Sequence, residues 1–256
     1  VTADVESRTP ALRLTGLGFH IGGVEILDDI NLEVDEGHFL GVIGPNGAGK
    51  TTLLNLLSGL LTPSAGTIEF EGHLINALRP SRRARRGVGR TFQTSSLFES
   101  LSVFENARLS AQARLGGSAR FWHRPAPSDA ASALAEQAID MVGLSGLAWR
   151  PAAALSHGDK RKLELAILVA SDARLLLLDE PMAGVNTEDV PVLTELIGRL
   201  HADGRTVLMV EHHMAVVVGL AQTIAVLDSG RLLAHGEPAQ VVANDDVQRA
   251  YLGEAL

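Results

Sequence analysis

Residues 40–60 read LGVIGPNGAGKTTLLNLLSGL, and the rest of the chain is organised around them. The apolar run from Leu40 to Ile43 has the composition of a strand buried on both faces of a parallel sheet. A glycine-rich turn follows, after which Leu53, Leu54, Leu56, Leu57 and Leu60 recur at helical spacing. Between the two, Gly44, Gly49, Lys50 and Thr51 fit the G-x-x-x-x-G-K-[ST] spacing of a P-loop, in the strand–loop–helix context it requires. Gly44, Gly47 and Gly49 let the backbone curl until several N–H groups face one phosphate. The helix that starts there adds the positive end of its dipole. Lys50 can reach β- and γ-phosphates, and the Thr51 hydroxyl can take a ligand position on Mg2+. The loop of Gly44, Pro45, Asn46, Gly47, Ala48, Gly49, Lys50, Thr51 and Thr52 is therefore expected to hold a nucleoside triphosphate.

With 256 residues, 46% hydrophobic and 20% charged, the chain can bury a core as one large domain or one domain with an inserted lobe. No apolar run approaches the roughly 18–20 residues needed to cross a bilayer. The opening VTADVESRTP is polar, lacks the apolar centre of a signal peptide and is expected to be a frayed, disordered tail over residues 1–10. The absence of cysteine excludes disulfides and thiolate metal sites. A net charge of −8 argues against a broad nucleic-acid surface, so no nucleic-acid partner is expected.

Strands are expected at 11–19 and 25–34 around the Gly22-Gly23 turn, and at Thr67–Phe70 after a turn at 62–66. Arg79 to Arg90 is the most basic stretch, read as a solvated helix face followed by a loop; contact with anionic lipid or an acidic partner is the alternative. Val103–Ala113 and Asp129–Val142 read as helices, the latter capped by Ser128 or Asp129. The Gly- and Pro-rich segment 115–128 between them reads as a loop, in which Phe121 and Trp122 pack locally or dock on a partner. From residue 155 helices at 158–171, 189–202 and 213–221 alternate with strands at 174–178, 205–210 and 223–227, and a turn at 228–230 leads into 231–234. Such alternation predicts an α/β fold with a mainly parallel sheet. The stretch from 94 to 165 offers helices and no strand, as a helical subdomain inserted into a core of 11–93 and 166–256 would.

At 175–180 four leucines run into Asp179 and Glu180. Adjacent strand side chains point to opposite sides. Asp179 suits an outer-shell role on Mg2+, and Glu180 suits orienting or deprotonating an attacking water.

LSHGD, from Leu155 to Asp159, lies about twenty residues before LLLLDE and resembles the LSGGQ signature of ATP-binding-cassette (ABC) ATPases. Gln93 in RTFQ resembles that family's Q-loop glutamine, and His212 in VEHHM its switch histidine. With the P-loop and LLLLDE these fall in the family's order over nearly the whole chain. The resemblance implies a P-loop NTPase (RecA-like) core, an N-terminal antiparallel β subdomain and an inserted helical subdomain. It also implies a head-to-tail dimer enclosing two ATP molecules, each between one copy's P-loop and the other's signature. Ser156 and Gly158 would then contact the γ-phosphate bound by the partner, Gln93 would sense Mg2+ and the attacking water, and His212 would contact the γ-phosphate.

Three departures stand out. His157 replaces the signature's first glycine and Asp159 its glutamine. Ile21 stands where the family's adenine-stacking aromatic is expected, with Phe19 two residues earlier and assigned to the core. The loop after Pro181 reads Met-Ala-Gly-Val-Asn in place of Ser-Ala-Leu-Asp. RTFQ with LFESLSVFEN, DEPMAGVN, VEHHM and the terminal AYLGE together resemble the ATP-binding subunits of branched-chain amino-acid importers, whose relatives serve urea and small amides.

That resemblance implies an ATP-hydrolysing subunit on the cytoplasmic face of the membrane. Its partners would be two membrane-spanning permease subunits, a second cassette of the same or a related chain, and indirectly an extracytoplasmic solute-binding protein. The lobe at 94–128 would meet the permease. The alternatives are the ATPase of a lipopolysaccharide-type exporter, which shares the AHG…YLGE ending, a soluble non-transport ABC ATPase, and a nucleotide-gated regulatory module.

Overall fold

A computed structural model describes residues 9–91, 97–115 and 130–251. The strand expected after residue 39 is β3, Phe39–Ile43, buried at every position. It lies inside a six-stranded sheet with β6 (Val88–Arg90), β7 (Leu175–Asp179), β8 (Thr206–Val210), β9 (Thr223–Asp228) and β10 (Arg231–Gly236). The order is β10-β9-β3-β8-β7-β6, parallel throughout except for β10, which returns antiparallel along β9. The N-terminal hairpin of β1 (Leu12–Ile21) and β2 (Val24–Val34) turns at Gly22-Gly23. With β4 (Ala65–Phe70) and β5 (His73–Leu74) it makes a separate antiparallel sheet ordered β2-β1-β4-β5.

Successive residues of the central strands divide between two cores. Phe39, Ile43, Leu176, Leu178, Val207 and Met209 join one apolar cluster, while Leu40, Val42, Leu175, Leu177, Leu208 and Val210 join the other. With both faces covered, the strands read as unbroken apolar runs and not as alternations. The second cluster also takes in the antiparallel sheet and α1 (Lys50–Ser58), whose Leu53, Leu54, Leu56 and Leu57 are fully buried. Burying each of these leucines contributes roughly 1.5–3 kcal/mol.

On the other face lie α6 (Val190–Ala202) and α7 (Met214–Leu220), joined by α3 (Val103–Leu115), α4 (Ala130–Met141) and α5 (His157–Ala170) in one continuous cluster. Two 3-10 turns, Ser145–Leu147 and Ala152–Ala154, connect α4 to α5. Among the described residues between 97 and 165 the only β pairing is an isolated Ser102–Pro151 bridge, as the helical reading of this stretch expects.

Several local expectations are corrected. The P-loop helix does not extend to Leu60: Gly59 adopts a left-handed conformation (φ 80°), and Leu60 is 49% exposed beyond it. Ala65 and Gly66 belong to β4, not to the preceding turn. The basic stretch keeps its solvated helix, α2 (Pro80–Arg85), but a strand follows it in place of the expected loop. That strand is β6, too short and too polar to show as an apolar run. Within the stretch Arg79, Arg82, Arg85 and Arg86 are exposed, but Arg83 and Arg90 are not. Arg83 is 1% exposed and donates to the carbonyls of Leu56, Leu57, Asn76 and Leu78, so it closes the C-terminal end of α1. Burial lowers its pKa to about 10. Two short C-terminal helices, α8 (Pro238–Val242) and α9 (Asp245–Tyr251), had no counterpart in the sequence reading. Phe121, Trp122, Ser128, Asp129 and the opening residues 1–8 lie outside the described residues.

Candidate nucleotide site

The sheet brings several candidate residues to one edge, the C-terminal ends of its parallel strands, where α/β folds place their ligands. β3 exits into the P-loop, β7 ends at Asp179 and continues into Glu180, and β8 exits into Glu211 and His212. Because β8 lies between β3 and β7, the three exits are neighbours.

The P-loop is shaped by close backbone packing. A Cβ on Gly44 would sit 2.0 Å from the Leu227 carbonyl oxygen, and one on Gly49 (φ 98°) would sit 2.6 Å from the Leu27 side chain. At Gly44 the backbone contact leaves no room for a side chain, and at Gly49 the left-handed φ and the Ile26 carbonyl oxygen at 3.0 Å strain any substitution. The Gly230 N–H donates to Ala48 O at 3.2 Å, which ties the loop to the β9–β10 turn. Lys50, only 6% exposed, donates through Nζ to Gly44 O at 2.6 Å and Pro45 O at 2.9 Å. Its ammonium is thereby held inside the curl of its own loop. Asn46, Gly47 and Thr51 are exposed on the loop surface, Thr52 is half-buried and Ala48 is packed inside.

Asp179 is 1% exposed and pairs with Arg90, Nη2 to Oδ2 at 2.9 Å. Arg90 also donates to Asn55 Oδ1 and Ser58 Oγ on α1, so one guanidinium joins the P-loop helix to the end of β7. Burial raises the Asp179 pKa above its ordinary value, and the hydrogen bond and charge of Arg90 pull it back. Burial likewise lowers that of Arg90, against the same pairing. Asp179 Oδ1 is buried with no hydrogen-bond partner among the described residues. An unsatisfied buried carboxylate oxygen, with the exposed Thr51 hydroxyl at the start of α1, is a donor set that suits a hydrated hard cation such as Mg2+.

Glu180 has a left-handed backbone (φ 48°), and its Oε1 lies 3.0 Å from His212 Nε2. Its own N–H donates to Val210 O at 2.9 Å, bridging the exits of β7 and β8.

Ser156 caps α5: its Oγ accepts from Asp159 N at 3.1 Å and donates to Asp159 Oδ2 at 2.9 Å. The Asp159 carboxylate holds the capping hydroxyl in place, and an acidic residue in the first turn of α5 suits the positive end of the helix dipole. His157 is exposed, while Gly158 is buried beside the Asp189 side chain. Ile21, at the end of β1, is 60% exposed, and Phe19 is buried in the core as expected. Gln93 lies outside the described residues.

Glu211 and Arg90 were not singled out in the sequence. Glu211 carries the same signal as LLLLDE, a carboxylate directly after the apolar run TVLMV. Arg90 had no such signal, because its partner lies 89 residues away.

Comparison with known proteins agrees with this architecture. Residues 27–183 match the ABC transporter family, and residues 231–256 match the branched-chain amino acid ATP-binding cassette transporter family. The high-affinity branched-chain amino acid transport ATP-binding protein BraF of Pseudomonas aeruginosa is 38% identical, over 96% of this chain and 99% of its own. LivG of Escherichia coli, of the same description, is also 38% identical, over 96% of this chain and 99% of its own. Among solved structures, the ADP conformation of MJ1267, an ATP-binding cassette of an ABC transporter, has a TM-score of 0.82 at 27% identity, covering 96% and 99% of the two chains. The cbiO1 structure from Clostridium perfringens, part of the ABC transporter complex cbiONQ, has a TM-score of 0.79 at 26% identity, covering 96% of each. The chain belongs to the ABC transporter family as an ATP-binding cassette ATPase, with the C-terminal element of the branched-chain amino acid subgroup.

Proposed function

We propose that this cassette hydrolyses ATP to drive import of branched-chain amino acids, and that the Glu180–His212 pair carries the chemistry. The observation that supports it most directly is their 3.0 Å side-chain contact at strand exits beside the P-loop, in a chain whose relatives carry that transport description. In this reading the P-loop N–H groups and Lys50 hold the β- and γ-phosphates. Glu180 receives the proton of the attacking water, and His212 contacts the γ-phosphate and orients Glu180. Thr51 and Asp179, with Gln93, would hold Mg2+; the ion supplies charge neutralisation at the phosphates. Ser156 and Gly158 would serve the nucleotide of a partner cassette, presented at the N-terminus of α5. Exposed Ile21 would lie against the adenine, with less stacking than an aromatic ring provides.

No helix among the described residues is long and apolar enough to cross a membrane. The proposed assembly is two permease subunits, two cassettes at the cytoplasmic face, and an extracytoplasmic solute-binding protein. The segment 94–128 would face the permease, as part of a helical subdomain spanning 94–165 within a cassette that begins near residue 11.

The test is uptake of labelled leucine by cells carrying the gene intact or as Glu180→Gln. Uptake that depends on the intact gene and disappears in the variant supports the reading. Uptake unchanged in the variant overturns it for branched-chain amino acids.

A further inference from the structure

Glu211, directly after β8, has no task in the reaction proposed above, yet it is only 2% exposed. Both its oxygens are engaged. Oε1 accepts the Met182 N–H at 2.8 Å; Oε2 accepts the N–H groups of His212 at 2.8 Å and His213 at 3.2 Å, and lies 3.2 Å from His213 Nδ1. A carboxylate withdrawn from water is costly unless its lone pairs are filled. Here they are filled by backbone amides from two different loops.

Those loops carry the Glu180–His212 pair. Met182 stands two residues after Glu180, and the His212 amide belongs to the pair's second member. Glu180 itself keeps a left-handed backbone, a conformation that persists only where its surroundings over-determine it. Its N–H is fixed on one side by Val210 O, and the chain just beyond it is fixed by Glu211.

We infer that Glu211 is a positioning residue: it sets the loop after β7 against the loop after β8 and so holds Glu180 and His212 in register. A shift of the Met182 loop is passed through this carboxylate to the His212 backbone. The inference rests on the proposed roles of Glu180 and His212.

The test uses Glu211→Gln, which keeps the shape but turns an N–H donor toward N–H donors. The full-length protein would be assayed beside Glu180→Gln and the double variant. Turnover per bound ATP should fall about 10–100-fold with KM for ATP within roughly threefold, because misplacing reacting groups costs rate more than affinity. Added to Glu180→Gln, the substitution should cause little further loss, since the two act through one unit. Glu211→Asp retains the charge but shortens its reach; it should show the same split and serves if the Gln variant does not fold. Turnover within about twofold of the parent, or a loss that adds fully to that of Glu180→Gln, overturns the inference. Normal turnover in Glu180→Gln alone overturns the underlying reading instead, without reference to Glu211.

Discussion

The exit of β3 and the exits of β7 and β8 border the same site but are built on opposite principles. At β3 the work falls to backbone: Gly44 lies where a Cβ would strike the Leu227 carbonyl, and the loop's shape determines where its N–H groups point. At β7 and β8 the work falls to side chains, the carboxylates Asp179, Glu180 and Glu211 with Arg90 and His212. A backbone site has no tolerance for an added atom. A side-chain site can lose its chemistry and keep its shape.

Gly44→Ala should produce the largest effect. Its methyl would lie 2.0 Å from a backbone oxygen that cannot move without disturbing β9, so the loop must deform. ATP binding should be lost, with a destabilisation of about 4 kcal/mol or more, as read by nucleotide titration and denaturant unfolding. Retained binding would show that the loop is not backbone-determined.

Next comes Arg90→Met, on the side-chain half. It leaves Asp179 buried without its cation, which costs about 3–5 kcal/mol in unfolding experiments. An Arg90→Met, Asp179→Leu double variant should recover much of that loss while remaining inactive, because an apolar pair of similar volume replaces a buried ion pair at little cost.

The smallest effect lies away from the site. His38, before β3, bonds Thr223 Oγ1 at 2.8 Å through Nε2, and burial lowers its pKa below the ordinary 6.5; His201 and His235 lower it further while Asp35 raises it. The folded state therefore binds this proton less readily than the unfolded chain. The resulting stabilisation is present above pH 6.5 and is lost as the pH falls below that value, through the folded pKa. The midpoint of denaturation should drop between pH 7.5 and 5.5, and His38→Gln should reduce that drop.

The same contrast explains what could be read from the sequence. Gly44, Gly49, Lys50 and Thr51 fall within eight consecutive residues, and backbone geometry fixes their spacing, so the loop is visible without any partner. The buried strands were legible because both faces are covered, which makes Leu175 to Leu178 an unbroken run. Arg83 and Arg90 of the basic stretch escape sequence reading because a buried arginine looks like a solvated one until its partners are known. Arg83 finds carbonyls up to 27 residues away, and Arg90 finds Asp179 across β6 and β7. Glu211 carried the signal of a carboxylate after an apolar run, but its meaning depends on Met182, 29 residues earlier.

The central claim is that Glu180 serves turnover and not binding. ATP affinity and steady-state hydrolysis of purified Glu180→Gln, measured beside the parent, test it most directly. Affinity should stay within roughly threefold while hydrolysis falls about 10²–10⁴-fold. Hydrolysis at the parent's rate would contradict the account.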